Sequence, residues 1–153
     1  MVQPATTTPN VRPRRTRKRA ALLALVLLAG VVLGACMNPQ QQETFDLVNA
    51  SRARAGLPAL TIDLEAQNKA QAWAEQMARE NRLYHSNLAD GMTGWRMLAE
   101  NVGYGSSIAQ VHEAYMNSSG HKANILNNRV THIGTGVARG NGRTWTVHVF
   151  VQR

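Results

Sequence analysis

Between residues 43 and 151 the spacing of apolar positions changes from helical to irregular, returns to helical, and ends in strict alternation. Phe45, Val48, Asn49 and Arg52 recur at three and four residues, and Gly56 and Pro58 follow as stop signals, which predicts a helix over 43–55. Asp63 is suited to cap a second helix. Ala66, Ala70, Trp73, Ala74 and Met77 then share one face, predicting a helix over 64–81 whose small residues permit close packing and whose Trp73 and Met77 are core. From Leu83 to Gly105 the period disappears. His85-Ser86-Asn87, Asp90-Gly91, Gly94 and Gly103-Tyr104-Gly105 read as a long loop that also carries Trp95 and Ala99-Glu100-Asn101-Val102-Gly103, and a long loop in a small domain tends to be functional. Ser106 or Ser107 can cap a third helix on which Ile108, Val111, His112 and Tyr115 face one way; Ser118-Ser119-Gly120 ends it, and a short helix follows over 121–126. Residues 131–138 and 144–151 alternate as strands joined by Gly140-Asn141-Gly142, a hairpin signal. The second strand is apolar on both sides near its end, so helices should cover part of both sheet faces.

The front of the chain follows another pattern. Arg12, Arg14, Arg15, Arg17, Lys18 and Arg19 form a cationic start, and an uncharged apolar run of 15 residues, 20–34, follows. This is an export signal, too short for the roughly 20 residues of a spanning helix. The only cysteine, Cys36, closes it as Leu33-Gly34-Ala35-Cys36, which resembles the bacterial lipobox, whose cysteine is acylated and becomes the first residue of the mature protein. Three segments are therefore expected: a lipoprotein signal peptide over 1–35, a lipid-anchored tether over 36–43, and a folded domain over 44–153. Two acyl chains anchor durably where one does not. The expected location is the outer face of the cytoplasmic membrane, reached by the general secretory route, since the residues after Arg14-Arg15 do not complete a twin-arginine signal.

Loss of the signal changes what the charge means. Six of the 17 Lys and Arg leave with it while all nine Asp and Glu stay, so residues 36–153 carry about +2 in place of the full chain's +8. A nucleic-acid partner loses its electrostatic support, and no basic stripe interleaved with aromatics replaces it. The remaining chain is long enough for one core, and with no second cysteine it forms no internal disulfide. It is expected as a monomer.

Several catalytic patterns fail. His112-Glu113 begins a zinc-protease motif, but Met116 stands where the second histidine is required. Gly103-Tyr104-Gly105 lacks its third glycine, and no nucleophile elbow exists. What remains is spread out: His85, then Ala99-Glu100-Asn101, then Ser119-Gly120-His121 before Asn124-Ile125-Leu126. "LVNASRARAGLPAL", "HS", "AENVGYG", "SSGHKANIL" and "HIGTGVARGNGRTWTVHVF", in that order over about 45–150, resemble the bacterial branch of the CAP superfamily, the cysteine-rich secretory, antigen 5 and pathogenesis-related group 1 proteins, also called the SCP domain. The resemblance implies an α/β fold, a three-layer α-β-α sandwich about a mainly antiparallel sheet. Its central cleft is lined by two histidines and, in many members, two glutamates. Carried over, His85 and His121 match the histidines and Glu100 the first glutamate. Ser118 stands at the position of the second, three residues after Tyr115, and supplies no carboxylate.

His121, in the first turn of a short helix, meets the positive end of the helix dipole, which favours the neutral ring. Glu100 can orient one histidine by accepting its N–H. Three readings stand open at this level. In the first, a membrane-anchored, non-enzymatic domain needs no cofactor and binds a lipid, a glycan or another envelope component at a cleft of His85, Glu100, Ser118 and His121. In the second, a hydrolase uses His85 and His121 as ligands of a weakly held divalent metal such as zinc and Glu100 as general base. The third is a structural or signalling interaction module of the envelope whose exposed surface binds a partner; on a purely structural reading Glu100 ties down the loop and His121 caps local backbone. For His132 and His148, core or surface is the expectation.

Overall fold

Asn38 starts the first helix among the described residues. Its side-chain oxygen accepts the N–H groups of Gln40 and Gln41, the Gln41 side chain accepts the Asn38 N–H in return, and Pro39 occupies the first turn, where a missing N–H is harmless. In the computed structural model, which describes residues 37–153, helix α1 therefore spans Pro39–Arg54. It starts ahead of the apolar spacing, and residues 39–42, expected only as tether, are helix, because the cap is built from polar residues that carry no period. Cys36 and the expected signal peptide lie outside the described residues.

Strand β1 (Thr61–Ile62), helix α2 (Leu64–Glu80), strand β2 (Met97–Gly105), helices α3 (Ile108–Asn117) and α4 (Ser119–Ile125), and strands β3 (His132–Gly140) and β4 (Arg143–Gln152) follow. Asp63 caps α2 by accepting the Ala66 N–H, and Ser107 caps α3. The sheet order is β1-β3-β4-β2, parallel between β1 and β3 and antiparallel elsewhere. Asn141 and Gly142, both at positive φ, make the two-residue β3–β4 turn whose twist suits a hairpin. The main departure from the sequence pattern is β2. Residues 97–105, expected in the long loop, pair along their whole length with β4, and the true loop is 81–96. Glu100, Asn101 and three glycine or tyrosine positions hide its alternation, because the polar pair serves the site and the glycines admit α3.

One sheet face packs Val102, Trp145, Val147, Val149 and Val151 against Ala66, Ala70, Ala74 and Met77 of α2. The other packs Ile133 and Phe150 against Val48 of α1, Val111 and Tyr115 of α3 and Ile125 of α4. These are the three layers of an α-β-α sandwich. Close approach of α2 to β3 depends on glycine: a Cβ at Gly134 or Gly136 would overlap the backbone of Ala66 or Ala70. The contact has a polar complement. Gln67 donates to the Thr135 carbonyl (2.7 Å) and accepts its N–H (2.8 Å); Gln71 does the same for Val137, at 3.0 Å each way. Where β1 stops at Ile62, two side-chain amides thus continue the ladder along the edge of β3. Trp73, expected as plain core, packs half-buried against the core and also holds the loop, its indole N–H donating to the Tyr84 carbonyl at 2.9 Å. Among the described residues no helix is long and apolar enough to cross a membrane.

Candidate functional site: a strapped loop, a carboxylate and two imidazoles

One face of α2 fastens loop 81–96. Glu65 accepts the N–H and O–H of Thr93 (3.1 and 2.7 Å), Lys69 donates to the carbonyls of Asn87 and Asp90 (2.8 Å each), and Trp73 holds Tyr84. The Tyr84 hydroxyl donates to Glu80 at 2.7 Å and accepts from Gln76 at 2.9 Å. Arg153 closes the far end on Asp63, Glu65 and the Thr93 carbonyl. Its guanidinium and the Thr93 groups hold the Glu65 carboxyl down at about 2, the Thr93 hydroxyl contributing most. The straps recur at helical spacing along α2, so a segment without secondary structure of its own presents His85 in one fixed place.

His85 meets the carboxylate of β2 directly. Its Nδ1 lies 2.7 Å from Glu100 Oε1, which also accepts the Ser86 N–H at 3.0 Å, while the Ser86 hydroxyl donates to Oε2 at 2.7 Å. Glu100 is buried, whereas the His85 side chain is 61% exposed. The carboxylate therefore fixes the proton on Nδ1 and leaves Nε2 as the free nitrogen of an accessible ring.

His121 comes from the opposite direction, at the third residue of α4. Its Nδ1 lies 3.0 Å from the hydroxyl of Ser118, the residue at the α3–α4 junction, so this ring too is held through Nδ1. The helix carrying it is tied to β2: Asn101 donates to the His121 carbonyl (3.1 Å), and Asn124 donates to Asn101 Oδ1 (2.9 Å) and the Glu100 carbonyl (3.3 Å). The Tyr115 ring lies 4.9 Å from that of His121, anchored by its hydroxyl, which donates to the Thr146 carbonyl at 3.0 Å. A Cβ at Gly103 would come 2.8 Å from the Tyr115 ring, so this glycine admits the tyrosine. The basicity of His121 is lowered by burial first and by the charge of His85 second. The direction is the one expected from the helix terminus, but the cause is burial and a second imidazole.

His85, Glu100, Ser118 and His121 are thus drawn to the region where loop 81–96, β2 and the α3–α4 junction meet. Sequence reasoning missed Ser86, Asn101 and Asn124 as the residues that hold them. Ser86 and Asn101 each stand next to a singled-out residue, but only the fold shows which way their side chains turn. His132 pairs locally with the Thr131 hydroxyl at 2.7 Å, and His148 is buried, both outside this group. As a metal centre the set is incomplete: among the described residues no three His, Cys, Asp or Glu side chains come together to hold an ion, and Glu100 is engaged by His85 and Ser86.

Residues 45–153 match the sequence profile of the Cysteine-rich secretory protein family, CAP. Over 116 residues the chain is 32% identical to the uncharacterized protein YkwD of Bacillus subtilis, covering 69% of this chain and 45% of that protein. An extracellular protein containing a SCP domain from Bacillus anthracis, solved by crystallography, superposes with a TM-score of 0.67 at 27% identity, covering 74% of this chain and 40% of that one. An outer surface protein of Borrelia burgdorferi shares the fold, with a TM-score of 0.65 at 19% identity over 74% of this chain and 92% of its own. The chain spans less than half the length of either Bacillus relative.

Proposed function

This chain belongs to the Cysteine-rich secretory protein (CAP) family, and from that premise we propose that it is an extracytoplasmic, lipid-anchored binding domain without catalytic activity. Its ligand is an envelope component, a lipid or a glycan, held beside His85 and His121. The observation that carries this reading is that each imidazole is gripped through Nδ1, His85 by Glu100 and His121 by Ser118, which leaves two Nε2 atoms to meet a ligand. Such pre-orientation is what specific binding needs.

The same geometry weakens the hydrolase alternative. A general base needs a carboxylate oxygen aimed at water, whereas Glu100 accepts hydrogen bonds from His85 and Ser86 on both oxygens. Ser118 brings no second carboxylate. Export and the acyl anchor rest on the segment before Cys36 and on likeness to a Bacillus anthracis protein described as extracellular.

The test is mass spectrometry of what co-purifies with the protein from its own membranes, for wild type and the His85→Ala/His121→Ala double variant. A lipid or glycan retained by wild type and depleted at least about tenfold in the variant is expected. Equal retention by both, or no retained compound in wild type, overturns the reading.

A further inference from the structure

Two buried histidines play no part in the cleft and have no complete set of hydrogen bonds. His148, in the middle of β4, is 1% exposed and sits in register with Asn101 of β2 and Thr135 of β3. Its ring stands edge-on to Tyr115 at 5.0 Å and to Phe150 at 5.7 Å, and its Nδ1 is buried without a partner. His112, on α3 one turn before Tyr115, is 8% exposed; its Nε2 lies 2.8 Å from the Ser51 hydroxyl of α1, and its Nδ1 is likewise buried without a partner. Ser51 also accepts from Arg54 at 3.0 Å, so this hydroxyl is shared between the guanidinium and the ring. An orphaned buried nitrogen is unusual in a native structure and calls for an account.

We propose that His112 and His148 form an acid-sensitive latch, which holds α3 and α4 on the sheet while both rings are neutral and releases them when the surroundings turn mildly acidic. The charges that act on the pair are all cationic. Arg54 of α1 acts on His112, while His112 of α3 and His121 of α4 act on His148; among the described residues the one histidine paired with a carboxylate is His85. Arg52 of α1 is spent on the carbonyls of Pro58, Ile125 and Asn127, and Glu100 of β2 is turned onto His85 and Ser86. A protonated ring carries an N–H on both nitrogens, so in either histidine it would leave an Nδ1–H without an acceptor and a positive charge without a paired carboxylate.

Burial is the larger cause in both rings, holding His112 below the usual histidine range and His148 down at about 3. A group that protonates more readily once exposed favours the open form as pH falls below its open-state value, here about 6.5, and continues to do so down to about 3. Tyr115 packs against both His148 and His121, so release of α3 also displaces His121. That consequence for the cleft rests on the reading given above; the latch itself does not. The face of the sheet packed by α2 has its own apolar cluster and its own glutamine bonds, and it is expected to stay closed.

Hydrogen–deuterium exchange of the full, metal-free chain at pH 7.5 and pH 5, corrected for intrinsic exchange rates, tests this. Protection of the α3 and α4 amides should drop about 30-fold from the His148 shift, while α2 and β3 hold theirs. In His148→Gln, whose side chain cannot take up a proton, the drop should shrink to a few-fold. Unchanged α3 and α4 protection in wild type, an equal loss in α2, or a full response in the variant overturns the latch. If His148→Gln does not fold, His112→Gln serves, with a response smaller than that of wild type expected and an unreduced one counting against the latch. Ligand retention at pH 7.5 is measured separately, so failure of the latch and failure of the cleft reading are distinguishable.

Discussion

At the scale of single residues, Glu100 is the side chain on which the site turns. A buried carboxylate that accepts an imidazole N–H, a backbone N–H and a hydroxyl is kept because it fixes the direction of His85, and hydrogen bonds to a charged group contribute about 1.5–3 kcal/mol each. A metal probe reads that direction. Zinc should bind wild type weakly, since two imidazoles leave water to fill the remaining positions, and binding should fade in acid, because a protonated imidazole has no lone pair to give a metal. Removing the partner that orients a ligand commonly lowers metal affinity about 10- to 100-fold. Calorimetric titration should therefore show Glu100→Gln weakened by about that factor and His85→Ala abolished. If both bind zinc as wild type does, the two rings do not act together and Glu100 orients nothing.

At the scale of elements, the junction of α2 with β3 carries the most demanding contact. Gly134 and Gly136 bring helix and strand together, and Gln67 and Gln71 then satisfy the strand edge that β1 is too short to reach. Gln67 is buried and Gln71 half-buried, so the two amides are unequal in consequence. Gln67→Ala leaves one buried N–H and one buried carbonyl of Thr135 unpaired, at about 1–3 kcal/mol for each group, whereas water can reach the groups that Gln71→Ala exposes. Urea unfolding should place Gln67→Ala about 2–6 kcal/mol below wild type and Gln71→Ala less than half as far. Equal losses would mean that the edge of β3 does not depend on burial. The opposite face of α2 performs a different task, since its straps to loop 81–96 carry the precision of the His85 position into a segment without regular structure.

At the scale of the whole molecule, helix α1 begins at Pro39, only three positions after Cys36. An acyl anchor on that cysteine would therefore hold the domain close to the bilayer surface, with little slack for a ligand to be sought far from it. Cys36→Ser should leave the protein unacylated, and fractionation of cells should find it uncleaved rather than in the mature membrane form. A mature, acylated Cys36→Ser protein would remove the anchor from the account. Among the described residues no helix is long and apolar enough to span a membrane.

What the sequence determined by itself was whatever depends on local chemistry or on a motif read in order. The Asp63 cap and the small-residue face of α2, the Asn141-Gly142 hairpin and the alternation of β4 are all legible, because capping, close packing and turn geometry are each set within a few residues. The motifs around His85, Glu100 and His121 pointed to the family and to its sandwich. Only the tertiary structure decided that Ala99 to Gly103 is strand rather than loop, since its backbone bonds to β4, some fifty residues away, and its polar side chains answer to partners on α4 and loop 81–96. It alone made Trp73 a loop clasp as well as a core neighbour and made helix of most of the expected tether. It alone left His112 and His148 buried with an unpaired nitrogen each. A residue's periodicity records which way it faces, but what it faces is settled by distant parts of the chain.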